Sequence, residues 1–71
     1  MNVINVLEMQ SGVPTRIVSF DANDEESAEE LFEKLISEND LRIDKDEIDF
    51  YLKMGSYDDK NGYEVHLIWS E

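Results

Sequence analysis

The chain has 71 residues, of which 41% are hydrophobic, and a formal net charge of −12 at pH 7. Such a charge repels nucleic acid and anionic membranes, which excludes direct binding to either. The chain contains no cysteine, which excludes disulfides and thiolate sites, and it has neither a signal-peptide pattern nor an apolar run of membrane-spanning length. We therefore expect one small domain over residues 1–71, complete, soluble and cytoplasmic.

The N-terminal third predicts a β-hairpin. Residues 2–10 and 15–20 are rich in Val, Ile and Leu, which favour strands, and the glycine and proline between them indicate a turn. If Gly12 and Val13 are the central turn residues, Leu7 pairs with Val18. In this register one face of the sheet carries Ile4, Val6 and Ile17, and the opposite face carries Val3, Leu7, Val18 and Phe20.

A helix is predicted after the hairpin. Asn23 is a suitable N-cap, and Glu26 follows three residues later, as in a capping box. Asn39 is a suitable residue for the left-handed position just after the helix end. The buried stripe of this helix, spaced at i, i+3, i+4, i+7 and i+8, consists of Ala28, Leu31, Phe32, Leu35 and Ile36.

The C-terminal third predicts a second β-hairpin. Apolar and polar residues alternate over residues 48–54 and 63–70, as in strands with one buried face. Asn61 and Gly62 form the preferred dipeptide of a two-residue hairpin turn. With the turn centred there, the buried face carries Ile48, Phe50, Leu52, Met54, Tyr63, Val65, Leu67 and Trp69.

The predicted order ββαββ indicates an α+β fold, a four-stranded antiparallel sheet with one helix packed on one face. A right-handed crossover between the hairpins predicts the spatial order 2-1-3-4. The charged connection over residues 40–47 is expected to anchor Leu41 and Ile43 beneath the fold. The residues expected to fill the core between helix and sheet are Phe32, Leu35, Phe50, Met54 and Trp69.

No pattern in the sequence predicts an enzyme, a cofactor or a metal site. The acids that begin at Asp44 and at Asp58 do not follow the calcium-binding EF-hand pattern. His66 has no predicted nucleophile or cleft beside it, so we interpret it as an exposed structural histidine on the outer sheet face, facing Tyr57. The glycines are isolated and open no phosphate-binding loop.

Negative charge is concentrated in one segment. Residues 21–49 contain thirteen acids and three bases, a formal charge of −10. On a helix, Glu26 and Glu30 are displaced by about 6 Å along the axis, which is comparable with the distance between adjacent phosphates on a DNA strand. The simpler interpretation is a solvated surface. The acids predicted to bind a basic partner are Glu26, Glu29, Glu30, Glu33, Glu38, Asp40, Asp44, Asp46, Glu47 and Asp49.

Two functional hypotheses follow. The first is a non-enzymatic binding protein, an inhibitor or regulator that mimics nucleic acid and binds a basic nucleic-acid-handling protein. In size and charge the chain is similar to acidic decoy proteins of viruses and mobile elements, although no motif connects it to them. The alternative is a structural module that forms a homodimer or a larger assembly through the outer sheet face. The residues predicted on that face are Ile4, Val6, Ile17, Tyr51, Tyr57 and Ile68.

Overall fold

The computed structural model describes residues 2–70, and all of their side chains except those of Asn2, Glu25 and Glu26. The α+β class and the four-stranded antiparallel sheet are confirmed, whereas the single helix is only roughly matched, because a second helix is present. The elements in chain order are β1 (Asn2–Gln10), β2 (Val13–Ala22), α1 (Glu25–Asn39), a 3-10 turn (Lys45–Glu47), α2 (Ile48–Met54), β3 (Ser56–Asp58) and β4 (Tyr63–Ser70).

Residues 48–54 form helix α2, so the strand predicted there is wrong. The sequence of this segment also fits a helix. Ile48, Tyr51 and Leu52 follow the helical spacing i, i+3, i+4, and all three side chains pack against the core. Asp44 accepts a hydrogen bond from the Asp46 N–H at 2.9 Å, which caps the preceding 3-10 turn. Gly55 ends α2 at a φ of 78°, its N–H donating to the Tyr51 carbonyl at 2.8 Å. The Asp44 cap before the segment and Gly55 after it favour a helix more strongly than the alternation of apolar residues favours a strand.

The sheet has the order β2-β1-β4-β3, not the predicted 2-1-3-4. The strand beside β1 is β4, whose eight residues all pair with β1, whereas β3 has three residues and forms an edge. Strands β1 and β4 therefore occupy the centre and gain hydrogen-bond partners on both sides, while β2 and the short β3 form the edges. The helices connect β2 at one edge of the sheet to β3 at the other.

The first hairpin differs from its predicted register by one residue. Its turn residues are Ser11 and Gly12, both with positive φ (52° and 79°), as in a type I′ turn. A β-bulge at Thr15 adds one residue to β2, so Ile4 pairs with Phe20 and Val6 with Val18. All four of these side chains face the helices. A one-residue slip exchanges the two faces of a strand, which is why the predicted outward position of Ile4 and Val6 is wrong.

The second hairpin has a four-residue loop, Asp59 to Gly62, where a two-residue turn was expected. The Asp59 carboxylate organises it by accepting hydrogen bonds from the N–H groups of Asn61 (2.7 Å) and Tyr63 (3.1 Å). His66 consequently pairs with Ser56, not with Tyr57. The predicted alternation of β4 is nevertheless confirmed over most of its length, since Tyr63, Val65 and Leu67 are buried.

Helix α1 begins and ends one residue later than predicted. Its N-cap is Asp24, which accepts a hydrogen bond from the Ser27 N–H at 2.8 Å, and the Ser27 hydroxyl completes the capping box. Its C-cap is Asp40, in the left-handed region at a φ of 54°. The predicted apolar stripe of the helix is largely confirmed, and the expected anchors Leu41 and Ile43 are both buried.

The hydrophobic core lies between the helices and the inner face of the sheet. Phe32 is fully buried and stacks on Phe20, with ring centroids 6.1 Å apart. Three residues that alternation predicted to be buried are instead exposed, namely Phe50 (52%), Met54 (63%) and Trp69 (44%). Phe50 and Met54 are exposed because the helical path of α2 turns them to solvent, and Trp69 lies near the end of β4. The buried core consists of Ile4, Val6, Ala22, Ala28, Phe32, Leu35, Ile36, Leu41, Ile43, Ile48, Tyr63, Val65 and Leu67.

Candidate functional site

The acidic residues chosen from the sequence are exposed on the helical layer of the protein. Those whose side chains the structure describes are Glu29, Glu30, Glu33, Glu38, Asp40, Asp44, Asp46, Glu47 and Asp49, and each is exposed. The side chain of Glu26, the remaining member of the predicted set, lies outside the described residues. We call the nine described acids the acidic surface.

Helices α1 and α2 bring acids from two separate parts of the chain together. A cleft of about 210 Å³ lies between α1 and the segment from Lys45 to Asp49. It is lined by Glu29, Glu33, Lys45, Asp46, Ile48 and Asp49. A shallow depression beside it includes Glu30 and Glu33. The cleft exists because α2 packs against α1, so the sequence alone gave no means of predicting it.

The three bases of the acidic segment neutralise little of this surface. Lys34 lies 3.8 Å from Glu38, but both side chains are mostly exposed, and such surface pairs contribute little. Lys45 donates a hydrogen bond to Ser37. Arg42 is directed toward the sheet, where its guanidinium carbon lies 4.2 Å from the centre of the Tyr63 ring. The acidic cleft therefore retains only Lys45 among its lining residues as a counter-charge.

An apolar groove borders the acidic cleft. It has a volume of about 170 Å³ and is lined by Ala28, Glu29, Asp49, Leu52, Lys53 and Trp69. Glu29 and Asp49 line both the groove and the acidic cleft, so the two are adjacent. We call this feature the Trp69 groove. Sequence reasoning missed it because strand alternation assigned Trp69 and Leu52 to the core.

The outer sheet face has a different composition from the one predicted. Of the six residues proposed for it, Ile17 (59% exposed) and Ile68 (49% exposed) do lie there. Ile4 and Val6 are in the core, and Tyr51 and Tyr57 pack against the core on the helical side. Burial and nearby acids raise the pKa of both tyrosines. The face is completed by residues that pair with the two isoleucines, including Leu7 beside Ile17 and Asn5 beside Ile68.

A polar cluster closes one end of the inner sheet face. The Tyr63 hydroxyl donates to the Glu8 carboxylate at 2.6 Å and accepts from the Arg42 N–H at 3.3 Å. Arg16 Nη2 donates to Glu8 at 3.3 Å, and its Nε lies 3.3 Å from the carboxylate without hydrogen-bond alignment. A β-bulge at Thr15 permits its hydroxyl to donate to the Glu8 carbonyl at 3.1 Å. Glu8, a lone acid within an apolar strand, was the sequence signal for this cluster.

The cluster shifts the ionisation of its members in opposite directions. Burial by itself raises the pKa of the Glu8 carboxyl, but hydrogen bonds from Tyr63 and Arg16 outweigh it, so this pKa is lowered. Burial and the hydrogen bond to Glu8 raise the pKa of Tyr63 to about 12. Both shifts favour a charged Glu8 accepting from a neutral Tyr63. Because the Glu8 carboxylate and the Tyr63 hydroxyl find their hydrogen-bond partners within the cluster, we interpret it as structural.

Replacing Tyr63 with phenylalanine is expected to destabilise the fold by about 1–3 kcal/mol, because the half-buried Glu8 loses a donor. The folded state binds the Tyr63 proton more tightly than the unfolded state, whose ordinary pKa is 10.0. Stability from this group is therefore present below that value and is lost as pH rises toward about 12. Urea unfolding of the parent and the variant, measured across this range, should give converging stabilities. A stability difference between parent and variant that stays constant across this pH range would contradict the hydrogen bond from neutral Tyr63 to Glu8.

Among the described side chains, no group of three or more His, Asp or Glu residues has the arrangement of a metal site. His66 lies on the outer sheet face, 3.6 Å from Glu64. None of the described helices has the length and apolarity needed to cross a membrane.

Comparisons with known proteins returned no relative. No family model matches the chain, and neither the curated proteins nor the solved structures contain a significant match.

Proposed function

We propose that the protein is a non-enzymatic binding protein whose acidic surface occupies a basic surface on a nucleic-acid-handling protein, where it acts as an inhibitor or regulator. In this proposal its carboxylates take the place of backbone phosphates. The proposal explains why so much negative charge is kept at a cost in self-repulsion. It also accounts for a surface that departs from the interspersed charges of ordinary proteins.

The observation that carries the proposal is the meeting of two acidic segments in one cleft. Glu29 and Glu33 come from α1, and Asp46 and Asp49 come from the 3-10 turn and α2. A solvated helix face needs no such convergence. Several like charges around one concave surface strengthen its potential, and a cationic partner then associates faster through electrostatic steering.

The test of this proposal is capture of a partner at low salt. The immobilised protein should retain a basic protein from cells of its source, and rising salt should release it, because screening weakens exposed charge contacts. Short duplex DNA should compete with the protein for the captured partner, while failing to bind the protein itself. Retention that is unaffected by both salt and DNA would contradict the proposal.

A second candidate function is assembly through the outer sheet face, and a specific observation favours it. Residues 2–20 contain a single acid, Glu8, and a single base, Arg16, and both belong to the polar cluster on the inner side. Apart from Asp21 at the end of β2, the outer face of this hairpin therefore carries no charge, and it exposes Ile17. Two copies that each carry −12 repel least through such a face. Salt should preserve or strengthen this contact, in contrast to the first candidate.

A further inference from the structure

The Trp69 groove differs in character from the acidic cleft beside it. Its apolar lining comes from three elements, with Ala28 from α1, Leu52 from α2 and Trp69 from β4. Ala28 is buried, Leu52 is half-buried and Trp69 is 44% exposed, so the indole remains accessible. An apolar cavity of about 150 Å³ is large enough to hold benzene. The groove, at about 170 Å³, has room for one apolar side chain.

The charges around the groove restrict what can occupy it. Glu29 and Asp49 lie at its boundary with the acidic cleft, and Lys53 is the only base among its lining residues. A ligand that places an apolar group against Trp69 therefore lies next to carboxylates from both helices, Glu29 from α1 and Asp49 from α2. Nucleic acid and acidic peptides are repelled there, whereas a cation next to the apolar group gains a favourable contact. Tryptophan, moreover, is enriched among residues that dominate binding energy at interfaces.

We propose that the Trp69 groove binds an apolar side chain of a basic protein segment, while a neighbouring lysine or arginine of that segment contacts Glu29 and Asp49. This inference rests on the proposed function and adds the feature that would determine which basic proteins bind. The acidic surface attracts basic proteins in general, and the groove selects those that present an apolar anchor beside the positive charge. A decoy that acted by charge alone would have no such preference.

The experiment uses two labelled lysine-rich peptides that differ at one central position, which is phenylalanine in one and alanine in the other. Fluorescence anisotropy gives the affinity of each peptide at low salt. Trp69 is the only tryptophan of the chain, so its emission reports directly on occupancy of the groove. We expect the phenylalanine peptide to bind at least about tenfold more tightly. It should also shift Trp69 emission to shorter wavelength, whereas the alanine peptide should not.

Substitutions distinguish the contribution of the groove to peptide affinity from the contribution of the acidic charges. Trp69→Ala should abolish the preference for phenylalanine and leave the affinity for the alanine peptide unchanged. Ile68→Ala, on the adjacent residue of β4 and on the opposite sheet face, is the matched control and should keep the preference. The double variant Glu29→Gln and Asp49→Asn should weaken binding of both peptides.

Several results would overturn the inference. Equal affinity of the parent for both peptides, with unchanged Trp69 emission, would refute the groove and leave the acidic-surface proposal standing. Failure of both peptides to bind would refute both proposals. A Trp69 emission shift that depends only on protein concentration would assign the groove to a second copy of the chain. The emission measurement requires no variant, so the test holds even if Trp69→Ala fails to fold.

Discussion

Replacing Phe32 with alanine is expected to cost about 3–5 kcal/mol of folding free energy, the usual penalty for removing a large core side chain. Phe32 has no exposed surface and stacks on Phe20 at an interplanar angle of 13°, so its loss leaves a cavity between α1 and the sheet. Domains of this length have a total stability of about 4–11 kcal/mol. The variant should therefore be largely unfolded or have a much lower midpoint in urea, as followed by circular dichroism.

Phe50 provides a matched control for this prediction. It is the same residue type, but 52% of its surface is exposed on α2, and its ring contacts that of Tyr51 at a centroid distance of 5.8 Å. Phe50→Ala should cost much less than Phe32→Ala, because it removes a half-exposed side chain and one aromatic pair worth about 0.5–1.5 kcal/mol beyond its buried area. An equal loss of stability in both variants would contradict the helical conformation of residues 48–54, since a strand there would bury Phe50.

Reversing two charges on α1 is expected to slow association with the captured basic partner. Glu30→Lys with Glu33→Lys changes the formal net charge from −12 to −8, and both side chains are exposed, so the fold should persist. Electrostatic steering accelerates association by about 10- to 1,000-fold. We expect the double variant to lose a large part of that factor, as measured by stopped-flow or surface-binding kinetics at low salt.

Two outer-face controls make this prediction specific to the acidic surface. Asp21→Lys with Glu64→Lys produces the same net charge on β2 and β4, away from the acidic cleft. This variant should slow association much less. Ile17→Ser with Ile68→Ser should leave association unchanged and should abolish a dimer if the sheet face forms one. Equal slowing by both charge reversals would mean that only net charge matters, and no slowing by either would refute nucleic-acid mimicry.

Local patterns predicted a large part of the fold. The apolar stripe of α1 and the alternation of Tyr63, Val65 and Leu67 are confirmed, because each buries one side of a regular element against the core. Leu41 and Ile43 were identified as anchors because they are isolated apolar residues in a charged segment. The exposure of the acids was predictable for the same reason, since no sequence neighbour offered them a buried partner.

The helical conformation of residues 48–54 could not be predicted from the alternation of apolar and polar residues alone. In the sequence Ile-Asp-Phe-Tyr-Leu-Lys-Met, apolar residues satisfy both a two-residue and a helical period. Asp44 caps the 3-10 turn that leads into α2, and Gly55 ends α2 in the left-handed conformation. This one change of element shortened β3, placed β4 beside β1 and exposed Phe50. The strand order consequently could not follow from the predicted elements.

The sequence by itself determined the α+β class, the amphipathic helix, the inward side of β4 and the exposure of the acids, because these properties depend on local periodicity and charge. Tertiary structure decided the register of the first hairpin, since both faces of β1 are apolar and only packing against the helices selects Ile4 and Val6. It also decided the sites, because the acidic cleft forms where α1 meets the 3-10 turn and α2, and the Trp69 groove forms where β4 meets both helices.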